Sequence, residues 1–368
     1  MSYLEAIKIA LFTFPFLAFL FTTPFILWQY HKYGSVNKLR ALIIYSFILY
    51  MICVYFLAIF PLPSRDEIDM NSPICQLIPF SFIFDIVKEV PNMKSISDVF
   101  LNSSVYTVLF NILMFIPFGI YLRYYFKGSL KKTVLFSFIF SLFLEVTQLT
   151  GLYFIYPHPY RLFDVDDLMI NTLGGVLGYF IAGIFMKFLP SRETIDLESL
   201  EEGKKVSGLK RITRFCLDAF IYLIFTVILS VAVDIRYVGV LSLIIYYVVI
   251  PYIFNGQTLG GRFLNMRLAF PDKRLFRLLL RLVLIILYFI VIPFGVGFVY
   301  MFCIRNFELS NILVFVLGAI YILFLGVFYL VNVTNIFKKK LLVYDRISKG
   351  EYVSTIGEEN LQKCDENE

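Results

Sequence analysis

The segment Arg161-Leu-Phe-Asp164-Val-Asp166-Asp167-Leu-Met-Ile-Asn171-Thr-Leu-Gly174-Gly175-Val-Leu-Gly178 leads into an apolar run that ends near residue 189. Three carboxylates stand where a helix would begin, at the end whose dipole favours negative charge. Asp164 or Asp166 is placed to cap that helix. The apolar part, 168–189, is long enough to cross a bilayer. Asp167, Asn171, Gly174 or Gly175, and Gly178 recur at steps of three or four and so share one face. Gly174 and Gly178 make a G-x-x-x-G surface that another helix can approach closely.

Runs of the same kind fill the chain: 6–28, 41–62, 105–126, 133–152, 215–234, 238–254, 282–302 and 311–335 join 168–189 as candidate spans. Of 368 residues, 59% are hydrophobic and 16% charged, where soluble domains have about 45–50% and about 25%. The mean hydropathy is +0.79. This excludes an ordinary soluble enzyme, a disordered protein and a secreted disulfide scaffold. The expected fold is all-α, a polytopic membrane helical bundle of about nine transmembrane helices. A β-barrel would read as short alternating strands instead. The five cysteines show no metal-ligand pattern. The first run lacks a cleavable-signal pattern and is expected to be retained.

Lys and Arg in the loops set the orientation. With loop 29–40 in the cytoplasm, all 33 basic residues fall inside except Lys8, Arg65, Lys88, Lys94, Arg161, Arg236 and Arg305. This predicts the N-terminus outside and the C-terminus cytoplasmic. The net charge of +6 then reflects topology and affinity for anionic inner-leaflet lipid; no nucleic-acid partner is expected. The polar stretch after Pro190 divides the chain. The predicted organisation is a five-span domain (1–190), a cytoplasmic linker (191–208), a four-span domain (209–350) and a disordered cytoplasmic tail (351–368).

Ionisable groups at membrane depth are costly and mark paired or functional sites. In the fourth span Ser137, Ser141, Glu145 and Gln148 share a face. Arg161, Asp164, Asp167 and Asn171 are the candidate partners of Glu145, and Asn111 of the third span adds another polar group. Such a cluster is either a buried network locking helices together, a binding site facing the outer leaflet, or a catalytic site. The acids could also gather a divalent cation through oxygen ligands; no other cofactor is identified, and no Ser or Cys motif marks a nucleophile. Between the spans, Ile74–Phe84 is too short to cross and is expected to be interfacial or re-entrant.

The order N-x5-P-x-G from Asn111, E-x-x-Q from Glu145 and R-x-F-D-x-D-D-x-x-x-N-T-x-G-G-x-x-G from Arg161, with Leu77-Ile-Pro79-Phe80, resembles the VanZ-like family of bacterial membrane proteins over about residues 40–190. The resemblance implies a multi-pass protein of the bacterial cell membrane. It further implies protection against teicoplanin-type lipoglycopeptides; with the Glu145, Arg161, Asp167 and Asn171 cluster on the outer side, the expected route is binding or altering access to a cell-wall precursor lipid or the drug.

In the second half, Arg214 and Asp218 are four residues apart and can pair, and Arg211 lies on the same face. Together with the loop Gly256-Gln-Thr258-Leu-Gly260-Gly261-Arg262 and with Asp345, these residues resemble the RDD family over about residues 207–354. Arg211, Asp218 and Asp345 match the family's defining Arg and two Asp. Arg214 stands where the family commonly has a small residue, which leaves open which Arg pairs with Asp218. The glycine loop lacks the Lys-Ser/Thr ending of a phosphate-binding loop. The expected role of its glycines is a tight turn, with Arg262 and Arg267 facing lipid phosphates. Two further readings follow: an ion or solute transporter using Asp218, and a metal-assisted hydrolase of an envelope lipid.

Overall fold

The computed structural model describes residues 3–89, 102–232, 237–307 and 310–357. Backbone polar groups in lipid have no water to pair with, so apolar runs of this length close their hydrogen bonds as helices. Among the described residues, eight helices are long and apolar enough to cross a membrane. They are α1 (Tyr3–Tyr33), α2 (Lys38–Ile59), α4 (Ser103–Tyr124), α5 (Leu130–Leu149), α6 (Val165–Phe188), α8 (Gly208–Ala232), α11 (Arg274–Asn306) and α12 (Asn311–Phe337). The ninth expected span forms a shorter apolar helix, α9 (Val238–Ile253). Shorter helices include α3 (Ser81–Glu89), α7 (Arg192–Gly203), α10 (Leu259–Phe263) and α13 (Val343–Ser348). Among the described residues the fold is all-α apart from two small ribbons. β1 (Cys75–Gln76) pairs in parallel with β2 (Phe163–Asp164), and β3 (Met266–Ala269) pairs antiparallel with β4 (Glu351–Ser354).

The chain forms two compact units, Met1–Thr22 with Asn37–Asp196, and Thr23–Val36 with Leu197–Glu368. The segment expected as a solvated linker is largely the helix α7. Its polar sequence conceals an apolar contact: Ile195 is fully buried against Ile43, Tyr124 and Tyr125, and Asp196 pairs with the buried Arg40. The tail expected to be disordered from residue 351 begins instead as β4, because β3 offers it a ladder. Residues 358–368, Lys94 and Arg236 lie outside the described residues.

The first unit packs around Val54, Phe115, Phe118, Phe140 and Leu144. Helices α4 and α6 approach at backbone distance. A β-carbon on Gly174 would meet the carbonyl of Ile112, one on Gly178 the carbonyl of Ile116, and one on Gly175 the Ser137 hydroxyl. After α5 the chain reverses through four consecutive left-handed residues, Gly151 to Phe154. Such backbone costs about 1–2 kcal/mol per non-glycine residue. It is held by Tyr156 N–H donating to the Gly151 carbonyl at 2.9 Å and by the Thr150 hydroxyl accepting from Tyr153 N–H at 3.1 Å. The reversal brings β2 back to α5, beside Glu145.

In the second unit, α9 and α11 each carry a π-helical turn, Ile245–Val249 and Leu287–Val291. Each turn lies just before a proline, Pro251 or Pro293. The wider turn relieves the clash between a proline ring and the preceding carbonyls.

Candidate functional site

The polar residues of the first unit converge on a cavity of about 90 Å³ enclosed by α2, α4, α5 and α6. Asn111, Glu145, Gln148, Arg161, Asp167 and Asn171 supply its polar wall. Leu57, Phe110, Met114 and Leu144 supply its apolar side. Tyr106 and Thr107, exposed in the first turns of α4, stand at its rim.

The helical spacing of α5 places Ser137, Ser141, Glu145 and Gln148 inward, and all four are buried. Glu145 accepts the Asp164 backbone N–H at 3.0 Å. Asn111 donates to Asp167 Oδ1 at 2.7 Å. Asn171 donates to Ser141 Oγ at 2.9 Å, and Ser141 in turn donates to the Asp167 carbonyl at 3.4 Å.

Arg161 does not pair with Glu145 or Asp167; among the described residues no ion pair links them. Its guanidinium donates to the carbonyls of Ala58 and Phe60 at 2.8 and 2.9 Å. Gln148 also donates to Ala58 at 2.8 Å, and Tyr160 to Ile59 at 3.1 Å. These are the end carbonyls of α2, which lack helical partners and carry the negative end of the dipole. Arg161 therefore caps α2. Burial pushes the Tyr160 hydroxyl up to about 12, which keeps it a neutral donor.

The three acids at the start of α6 diverge. Asp164 caps its own helix, accepting Asp166 N–H at 2.8 Å, and burial raises its carboxyl above the usual range. Asp166 turns to α3 and accepts from Phe80 N–H, Ser81 Oγ and Phe82 N–H at 2.6, 2.9 and 3.0 Å. Only Asp167 faces the cavity. The expectation that these acids gather a divalent cation meets this divergence: among the described residues no group of three or more His, Cys, Asp or Glu is arranged to hold a metal. Among the described residues no Ser, Cys or His lines the cavity.

The second unit holds a different constellation. Arg214 Nε pairs with Asp218 Oδ2 at 3.2 Å, while Arg211 pairs with Asp345 at 3.3 Å. Asp218 also accepts from Thr258 Oγ1, Tyr246 OH and Gly260 N–H at 2.7, 2.9 and 3.0 Å. A side chain at Gly260 would collide with Asp218, and one at Gly261 with Thr258, so these glycines admit the network. Arg262 is exposed over the Phe254 ring. Arg281, which sequence reasoning missed, donates to Asp345 Oδ1 at 2.9 Å and to Tyr352 OH at 2.8 Å. The Tyr352 ring lies against Arg211 at 4.3 Å, with Arg214 and Arg281 at 5.7 and 5.8 Å. The available signal was Arg274, Arg277 and Arg281 on one face of an apolar helix. Tyr246 and Tyr352 carried none, since tyrosine is common throughout the chain.

Residues 47–186 match the family described as VanZ/LLP1. This part of the chain is a VanZ-like domain, and it contains every polar residue that lines the cavity. No curated protein and no solved structure matches the chain.

Proposed function

We propose that the VanZ-like unit protects a bacterial cell envelope by engaging, at the outer leaflet, a cell-wall precursor lipid or a lipoglycopeptide of the teicoplanin type. The observation that carries this reading is a cavity whose polar wall includes the buried Glu145 and the half-buried Asp167 beside an apolar side, as an amphiphile's head group requires. The cavity lies at the α6 N-terminus, the end that the Lys and Arg distribution assigns to the outside. The test is glycopeptide susceptibility of cells carrying wild-type or Glu145→Gln protein at equal levels. The expected result is loss of protection in the variant. Equal susceptibility would remove Glu145 from the mechanism.

For the second unit we propose an RDD-like membrane domain, on the strength of the Arg211–Asp345 and Arg214–Asp218 pairs. Asp218 is occupied by four donors, which favours a structural role over a transport carboxylate. Ion flux in vesicles that Asp218→Asn abolishes without loss of folding would reverse that preference.

A further inference from the structure

The hydrogen-bond polarity of the cavity in the VanZ-like unit identifies the kind of group it takes. Asn111, Gln148 and Asn171 each spend their amide N–H₂ on a protein acceptor: the Asp167 carboxylate, the Ala58 carbonyl and the Ser141 hydroxyl. The chemistry fixes these orientations. A carboxylate and a carbonyl accept only, and Ser141 already donates elsewhere, so a reversed amide would set oxygen against oxygen. Their three amide oxygens are thereby turned outward from these bonds as acceptors. The Asn171 oxygen is fully buried and unpartnered, on a side chain that is 2% exposed and lines the cavity. A buried acceptor left empty is unfavourable unless something fills it.

The charges point the same way. Glu145 and Asp167 face the cavity, and among the described residues Arg161 is the one basic side chain in its wall, so the wall holds one more carboxyl group than guanidinium. A carboxyl group at membrane depth that meets a cation ionises and pairs with it. The donors of Arg161 that bond in the structure go to α2 carbonyls. The inner wall thus offers carboxyl groups and amide oxygens as acceptors, while the hydroxyls of Tyr106 and Thr107 belong to the rim.

Size narrows the choice. An apolar cavity of about 150 Å³ holds benzene, so about 90 Å³ admits an aminomethyl or aminoethyl end and excludes a sugar ring. We propose that the cavity binds a primary ammonium group, held by Glu145, Asp167 and the amide oxygens of Asn111, Gln148 and Asn171. The rest of the ligand leaves past Tyr106 and Thr107. The assignment rests on the reading of this cavity as a ligand site, and it names the group recognised. A primary ammonium has three N–H donors and one positive charge, which a trimethylated amine or an alcohol cannot match.

The test titrates the full chain, in phosphatidylglycerol nanodiscs, with hexylammonium, hexyltrimethylammonium and hexanol by calorimetry. The expected result is saturable binding of hexylammonium alone. Glu145→Gln and Asp167→Asn should each weaken it about ten- to a hundredfold, the worth of one charge-assisted hydrogen bond. Asp167→Asn keeps the side-chain shape, and the melting temperature of each unliganded variant checks folding. Two arms separate the sources of the amine. Competition by phosphatidylethanolamine assigns a lipid head group. Competition by an amine-bearing lipoglycopeptide, but not by its N-acetyl form, assigns the drug. Equal binding of the trimethylated amine, or undiminished binding in both variants, overturns the proposal. Protection of cells without amine binding also overturns it and leaves the protective role standing. Amine binding that needs both carboxylates supports it even where cells gain no protection.

Discussion

Replacing Asp218 by Ala removes the acceptor on which four donors converge. Thr258, Tyr246, the Gly260 N–H and Arg214 lie at 2.7, 2.9, 3.0 and 3.2 Å from it. The Arg214 side chain is 6% exposed, so its charge cannot reach water when its partner is lost. Breaking one side of a buried pair costs about 3–5 kcal/mol because the remaining charge is uncompensated. Arg214 keeps its bonds to Thr258 and its position beside Tyr352, which places the expected loss nearer the lower figure. Removing both charges with Arg214→Met and Asp218→Leu should cost much less than the two single losses added together, since no orphan charge remains. The assay is denaturant unfolding of the full chain in mixed micelles, followed by circular dichroism, for wild type, the two single variants and the double variant. A loss below about 1 kcal/mol for Asp218→Ala, or strict additivity in the double variant, would refute the reasoning.

Gly178→Val should separate α4 from α6, because its first side-chain carbon meets the Ile116 carbonyl; crosslinking of cysteine pairs placed across the two helices should fall, and unchanged crosslinking would count against the close approach. Asp166→Ala should free α3, whose first turn it holds through three bonds. Losing a cap of this kind costs about 0.5–2 kcal/mol, and hydrogen exchange should rise in residues 80–84 with little change at Asp218. Burial raises the Asp164 carboxyl, so the folded state holds that proton more tightly than the unfolded one. Its contribution to stability is full below the unfolded carboxylate value, about 3.9, and is lost as pH rises through the folded one. Asp164→Asn should flatten that decline in melting curves recorded across the acidic range.

The apolar runs were legible because hydropathy is a local property: each span announces itself within its own residues. The run 238–254 was the exception, forming a helix of fewer residues than the spanning helices. The members of the cavity cluster were legible too, since helical spacing put Ser141, Glu145 and Gln148 on one face and Asp167 and Asn171 on another. The helix α7 escaped the same reasoning. Its composition is polar, and Ile195 is a single apolar residue whose burial depends on α2 and α4.

By itself, then, the sequence determined the all-α fold class, the VanZ-like order of motifs and the scarcity of charge that singled out a few polar residues. Only the tertiary structure decided what those residues do. It sent Arg161 to the end of α2 rather than to Glu145, Asp166 to α3 rather than to the cavity, and Arg214 rather than Arg211 to Asp218. It also brought in Arg281 and Tyr352. The reason is physical. Spacing along one helix sets which face a side chain occupies. Which donor meets which acceptor depends on atoms far apart in sequence coming within about 3 Å, and on which carbonyls and carboxylates lack a partner when they do.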